Sequence, residues 1–365
     1  MTRIRDFGVT PGMLPPGSLN AITDVTGVRV GHATLIAGEG ALREGEGPVR
    51  TGVTAIVPHG GNVFLDKVSA AVCTMNGFGK VAGFEQVRER GTIEAPILLT
   101  NTLNVGRVVD AGVAYMLRQN PHIGIENKHG TVNVVVGECN DGFVNDLRGR
   151  HVGQAEVWAA IESATDGIVQ EGNVGGGTGT QCFQFKGGIG SASRMVHDGR
   201  YTVGALVQTN YGMRSEMMIL GAPVGQHFID SHLPEPGPGS IMMVLATDAP
   251  MNSRQLGRMA RRAAFALGRT GTCGQDGSGD FVIAFSTTSR RAHLTDTLDE
   301  AAPRLPESGP MIDPFFLAAV ESIEEAILNA LVAAETLTGR DGNTLHAIPH
   351  DKLRDVLQHY RRIES

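Results

Sequence analysis

The sequence predicts a layered α/β sandwich, with helices packed outside a central pair of sheets. Three observations carry that expectation. Short apolar runs rich in β-branched residues recur along the 365 residues, each bounded by Gly, Pro, Asn or Asp, as strands are. Stretches with helical spacing lie between them without one clean strand–helix–strand rhythm. Several of those helices are too apolar for a single exposed face, which a layered sandwich accommodates better than a simple Rossmann unit.

In order, strands are expected at Val28 to Ile36, Gly52 to Val57, Pro96 to Thr100, Thr131 to Gly137, Thr202 to Gln208, Ile241 to Ala246 and Phe281 to Phe285. Helices are expected at Arg107 to Gln119, at Ser253 to Leu267 stopping on Gly268, and at Asp313 to Leu337. The last opens with Asp313 as N-cap and Pro314 in the first turn, and its apolar residues run almost all round, so it is expected between layers. Asp351 to Arg362 has the pattern of a surface helix. The Pro/Gly-rich segment Asp230 to Gly239 is the best candidate linker.

Composition narrows the function. Glycine is abundant, 49 residues, and sits between well-formed apolar segments, so it marks turns and close backbone approaches rather than disorder. With aromatics at only 5%, the core must be aliphatic. A net charge of -7 speaks against a nucleic-acid partner. No apolar run is long enough to cross a membrane, and the start lacks a signal-peptide core, so a cytoplasmic protein is expected. The four cysteines stand far apart with no C-x-x-C pair, which argues against a disulfide framework and a zinc ribbon. His346 and His350, the closest spaced histidines, are interrupted by Pro349; no metal site and no cofactor are expected. The loops Gly175 to Gln181 and Gly187 to Ser193 could cradle phosphate, but neither is a Walker sequence. Arg258, Arg261, Arg262 and Arg269 are expected on a solvated face or a subunit contact, and Glu39 to Glu46 in an exposed acidic loop.

One junction carries chemistry. Gly239 and Ser240 stand between the Pro/Gly loop and the fully apolar run that starts at Ile241. A serine there is what an autoprocessing N-terminal nucleophile needs. Its hydroxyl attacks the Gly239 carbonyl, the acyl group shifts from nitrogen to oxygen, and water cleaves the ester. Gly239 presents no Cβ to obstruct the attack. The freed α-amine, with an ordinary pKa of about 7.7–8.0, is close enough to neutrality to serve as base for its own hydroxyl. On the residues alone, a strand preceded by a Gly-Ser turn explains the same dipeptide.

Gly239-Ser-Ile-Met-Met-Val244 with Ala246-Thr-Asp-Ala-Pro250, Glu171-Gly-Asn-Val-Gly-Gly-Gly-Thr-Gly179, Lys186-Gly-Gly-Ile-Gly190, Gln208-Thr-Asn-Tyr-Gly212 and Arg269-Thr-Gly271 resembles the L-aminopeptidase/D-esterase family, which includes β-peptidyl aminopeptidases. The resemblance runs from about Gly27 to Ser289. It implies a four-layer αββα sandwich of the N-terminal-nucleophile-like, ornithine acetyltransferase type. It also implies a single domain over residues 1–365, self-cleaved into 1–239 and 240–365, and a homo-oligomer, usually a tetramer of such pairs. The implied activity is an aminopeptidase acting on short peptides, amino-acid amides or esters.

Carried over residue by residue, the resemblance makes Ser240 the nucleophile and Asn210 the oxyanion donor. Ser278 and Asp280 become the pair that positions and polarises the nucleophile. Without the family, Asn210 is a turn former and Asp276 to Asp280 simply a turn. An aminopeptidase also needs a counter-charge for the substrate ammonium. Glu138 matches the family's acidic residue, its alternative being a solvated strand end or structural ion pair, and Asp141 is the second choice. Phe143 departs from the pattern, standing where some members have a tyrosine whose hydroxyl joins the catalytic centre, so that contribution is absent here or comes from elsewhere. Two other functions fit a related chain: an acyltransferase of the ornithine acetyltransferase type, whose nucleophile is threonine, and a metabolite-binding member without processing. The joint presence of Ser240, Asn210, Ser278 and Asp280 speaks against the second.

Overall fold

The computed structural model describes residues 1–229, 234, 239–298 and 304–364. Most of the predicted linker Asp230 to Gly239 lies outside them. In chain order the main elements are β1 (Arg29–Ala37), β2 (Val49–Val57), β3 (Asp66–Gly77), α1 (Phe84–Arg90), β4 (Thr92–Ile93), β5 (Ile97–Asn101), α2 (Val105–Gln119), β6 (Val135–Cys139), α3 (Gln154–Glu162), β7 (Gln181–Cys182), β8 (Phe185–Lys186), β9 (Ile189–Val196), β10 (Tyr201–Asn210), β11 (Ser240–Thr247), α4 (Ser253–Ala260), α5 (Ala263–Thr270), β12 (Gly279–Ala292), α6 (Gly309–Val332) and α7 (His350–His359).

Two sheets stack face to face, one ordered β1-β2-β5-β6 and the other β4-β3-β12-β11-β10-β9. Ile56, Leu99 and Val135 of the first meet Leu206, Met242, Val244 and Ile283 of the second between the sheets. On the outer face of the first sheet, Val53, Leu98 and Val136 pack on Val108 of α2 and Val157 of α3. On the outer face of the second, Val207, Met243 and Val282 pack on Leu256 of α4 and Ile323 of α6. The result is the expected four-layer αββα sandwich. Strand β11 alternates between the two cores, so both its faces are buried and its sequence is apolar without interruption.

The glycine excess has a geometric reason. A Cβ on Gly31 of β1 would stand 2.1 Å from the Ala160 carbonyl oxygen of α3, and one on Gly190 of β9 would stand 1.9 Å from the Ala326 oxygen of α6. Both outer helices therefore rest on strand backbone. Gly190→Ala is expected to cost about 1–3 kcal/mol by forcing the helix away, read as a lower denaturant midpoint. Gly60→Ala, whose Cβ would meet nothing within 4 Å, should leave the midpoint unchanged.

Several sequence expectations need correction. The helix predicted from Ser253 to Leu267 is two, α4 and α5, broken at Arg261 and Arg262. The break lets α4 lie on β3 and β12 while α5 turns onto α6. The long helix begins at Gly309 with Ser308 as N-cap, so Pro314 lies inside it, and it ends at Val332. The strand predicted from Thr131 begins only at Val135. Strands β3 and β9 and helices α1 and α3 carry no apolar signal strong enough to have been anticipated. Among the arginines expected on a solvated face, Arg258 pairs with Glu307 and Arg269 with Glu324, and Arg262 stacks on Phe316.

Helix α6 holds buried carboxylates as well as apolar side chains. Arg194 of β9, fully buried, donates Nε to Glu321 at 3.1 Å and Nη2 to Glu325 at 2.7 Å. Arg5 holds Glu325 from the other side, Nε at 2.7 Å and Nη2 at 2.8 Å. Burial alone would raise the Glu325 carboxyl, but the Arg5 hydrogen bonds and the Arg194 charge outweigh it and hold the pKa below its usual value.

Candidate active site

Three strand ends meet where the sequence placed the chemistry. Ser240 opens β11, opposite Asn210 in the antiparallel ladder with β10 and beside Gly279 in the parallel ladder with β12. The continuous apolar run of β11 locks it between its neighbours, and that register brings Ser240, Asn210, Ser278 and Asp280 together. All four are buried, and the Ser240 hydroxyl has no hydrogen-bond partner among the described residues. An unpartnered buried hydroxyl is costly in a structural role, so it marks a group kept ready for another partner.

Ser278 Oγ donates to Asp280 Oδ1 at 2.6 Å. Burial raises the Asp280 carboxyl above its ordinary pKa, and the Ser278 hydrogen bond opposes the shift. A Cβ placed on Gly239 would lie 3.1 Å from Ser278 Oγ, so this pair borders the 239–240 bond. The Gly279 N–H donates to the Gly239 carbonyl oxygen at 3.1 Å. Sequence reading missed that donor; only the parallel pairing of β11 with β12 shows it. From the facing sheet, the Cys139 thiol donates to the Gln208 carbonyl at 3.2 Å and reaches the Ser240 carbonyl at 3.6 Å.

Asn210 has its amide oriented. Its Oδ1 accepts from the Gln181 N–H at 3.2 Å, which makes the NH₂ the donating end. Asn210 also lines a cavity of about 540 Å³ together with Phe143, Gln181, Gly179, Arg340, Leu345 and Leu42. Leu42 comes from the acidic loop, which is exposed as expected. The glycine-rich loop Gly175–Gly177 runs against both sheets, since a Cβ on Gly176 would lie 2.3 Å from Gln208 Oε1 and 2.7 Å from the Leu99 oxygen.

Glu138 sits near the end of β6, buried, accepting from Thr102 Oγ1 and from the Lys80 N–H at 3.0 Å. Burial raises its carboxyl pKa; the Thr102 and Lys80 hydrogen bonds pull the other way. A Cβ on Gly79 would lie 3.2 Å from Glu138 Oε1 and 3.3 Å from Gly279 Cα, so one glycine separates this carboxylate from the strand end beside Ser240. Neither Glu138 nor Asp141 lines that cavity. Asp141 is fully buried; its Oδ1 accepts from Asn145 at 2.9 Å, and burial raises its pKa to about 7 against hydrogen bonds from Thr51, Asn145 and Asn101. Among the described residues no group of three His, Cys, Asp or Glu side chains could hold a metal ion, and no helix is long and apolar enough to cross a membrane.

A family model, Peptidase family S58, matches residues 20–345. The chain is 45% identical to β-peptidyl aminopeptidase BapA of Sphingosinicella microcystinivorans, covering all of this chain and 93% of that protein. Among solved structures, the PH0078 protein of Pyrococcus horikoshii superposes with a TM-score of 0.92 at 48% identity, over 98% of this chain and 99% of that one. The L-aminopeptidase D-Ala-esterase/amidase of Ochrobactrum anthropi, described as a prototype of the serine aminopeptidases and a variant of the Ntn-hydrolase fold, superposes with a TM-score of 0.91 at 40% identity over the whole of both chains. With the strand-end constellation in place on that fold, the chain belongs to peptidase family S58 and is a hydrolase of the N-terminal-nucleophile type.

Proposed function

We propose that this protein is a self-cleaving serine aminopeptidase that removes an N-terminal residue, of α or β backbone, from short peptides, amides and esters. The observation that carries the reading is the Ser240 hydroxyl, without a hydrogen-bond partner among the described residues and set at a strand end between Asn210 of β10 and the start of β12 at Gly279 and Asp280.

In the precursor, Ser240 Oγ attacks the Gly239 carbonyl carbon. The C–N bond breaks as the C–O bond forms, giving an ester and a free Ser240 amine, and water then hydrolyses the ester to the Gly239 carboxylate. The Gly279 N–H already donates to the oxygen that becomes negative in that step. Division into 1–239 and 240–365 follows. In the mature enzyme the Ser240 amine takes the proton from its own hydroxyl as Oγ attacks the substrate carbonyl. Asn210 NH₂ and the Gly279 N–H stabilise the oxyanion, one such donor being worth about 3 kcal/mol. Ser278, held by Asp280, keeps the amine and hydroxyl aligned. The leaving amine departs with the proton, and water attacks the acyl-enzyme on Ser240.

Glu138 supplies the counter-charge for the substrate ammonium, and Phe143 forms part of the wall of the substrate cavity. The part we assign to Asp141 is to brace the 141–145 turn through Asn145 rather than to touch substrate. Ionised Glu138 and a protonated substrate amine are the binding forms. The raised Glu138 pKa therefore sets an acid limb: KM rises as pH falls through that value, is flat above it, and rises again only where the substrate α-amine loses its proton, near its ordinary pKa of about 7.7–8.0. Glu138→Gln is expected to raise KM at neutral pH by about tenfold or more and to abolish the limb, at unchanged fold, since the loss of one charge-assisted contact is worth about 1.5–3 kcal/mol.

The test of the function is release of chromophore from β-alanine and L-alanine p-nitroanilides, beside their N-acetylated forms. Hydrolysis of the free-amine substrates and not the acetylated ones is expected. Hydrolysis indifferent to acetylation, or chromophore release only with an added amine acceptor, would overturn the reading.

A further inference from the structure

Lys186 of β8 is fully buried, and among the described residues its ammonium is held by backbone alone: Nζ donates to the carbonyls of Gly177 at 3.1 Å, Thr180 at 2.8 Å and Gly187 at 2.6 Å. Burial pushes its pKa down to about 7, with the ionisable Cys182 and Asp141 side chains nearby acting through space in the opposite sense. Keeping a cation there, away from water and with no carboxylate bonded to it among the described residues, is expensive. The Thr180 carbonyl that Lys186 grips belongs to the same peptide unit as the Gln181 N–H, which donates to Asn210 Oδ1. An unbroken relay results: ammonium to carbonyl, through one planar amide, to the side-chain amide of Asn210.

We propose that Lys186 is a positioning residue for catalysis, its ammonium fixing and polarising the Thr180–Gln181 peptide unit so that the Asn210 NH₂ is aimed at the reacting carbonyl. Hydrogen bonds in such a chain strengthen one another, and a charge at one end makes the terminal N–H a better donor. The amide plane is gripped at both ends, so Asn210 does not reorient when charge develops on the substrate oxygen. This rests on the reading of Asn210 as oxyanion donor.

The experiment is a double-mutant cycle of Lys186→Met with Asn210→Ala, reading kcat and KM for β-alanine p-nitroanilide per mole of cleaved chain. Lys186→Met alone is expected to lower kcat about tenfold with KM within about twofold, and to cost less than about twofold when Asn210 is already alanine, because coupled residues are non-additive. Lys186→Gln keeps two N–H donors for the carbonyls without the charge; it should fold where the methionine variant does not, and lose kcat in the same sense. An unchanged kcat, an effect confined to KM, or a full effect persisting in the Asn210→Ala background overturns the proposal. Should a folded Lys186 variant fail to cut itself, that supports the proposal if Asn210→Ala is equally blocked and overturns it otherwise. Wild-type kcat in Asn210→Ala alone would instead overturn the oxyanion reading beneath it.

Discussion

Ser240→Ala is expected to leave one unbroken 365-residue chain and to lose aminopeptidase activity by a factor of at least about 10⁴. The wild type should give two masses under denaturing conditions, of 239 and 365 − 239 = 126 residues. One atom accounts for both losses, since the same Oγ first attacks the carbonyl behind it and later that of the substrate. The variant removes a buried hydroxyl that has no partner among the described residues, so stability should hold or rise slightly. Intact mass and anilide hydrolysis on one preparation check the pair of expectations. An active wild type that remains a single polypeptide would exclude the mechanism.

The largest stability effect is expected at Arg194. Arg194→Met leaves Glu321 without its guanidinium partner and Glu325 with only Arg5, inside a layer where neither can be hydrated. Breaking a buried pair from one side costs about 3–5 kcal/mol. Glu325 has a folded pKa below its unfolded value, so the stability it contributes is present above the carboxylate range and lost as pH falls through the folded pKa. The variant's deficit should therefore be full at pH 7 and shrink in acid. Thermal midpoints of both proteins from pH 7 to pH 3 test this; a deficit that stays constant with pH would mean that lost packing, not charge, is the cause.

How far the sequence alone reached depended on what each element buries. Strands β10 and β11 were legible almost to the residue, because both faces of each are covered and the apolar run is unbroken. Strand β9 was not: Gly190, Ser191, Ala192, Ser193 and Arg194 look like a loop until helix α6 is laid on the glycine and its glutamates on the arginine. Strand β3 is half-covered along much of its length and mixes lysine, serine and asparagine among its apolar residues. The break at Arg261 and Arg262 leaves the i, i+3 spacing of alanines and leucines intact, so periodicity reads straight through a change of packing partner. At the candidate site, four side chains that motifs can name, Ser240, Asn210, Ser278 and Asp280, are brought to one strand end. The Gly279 N–H and the Lys186 relay were not legible, because both act through main-chain atoms that only the register of neighbouring strands brings into place.

Ser240 begins a strand gripped by β10 on one flank and β12 on the other, and β12 is itself zipped to β3. A cut behind it severs no ladder. Chain ends are ordinarily the loosest part of a protein, free to fray and sample many directions. Here a new end would arise already clamped within the sheet, an amine with the positional discipline of a core residue, and that would let a terminus behave as a reagent instead of a tail.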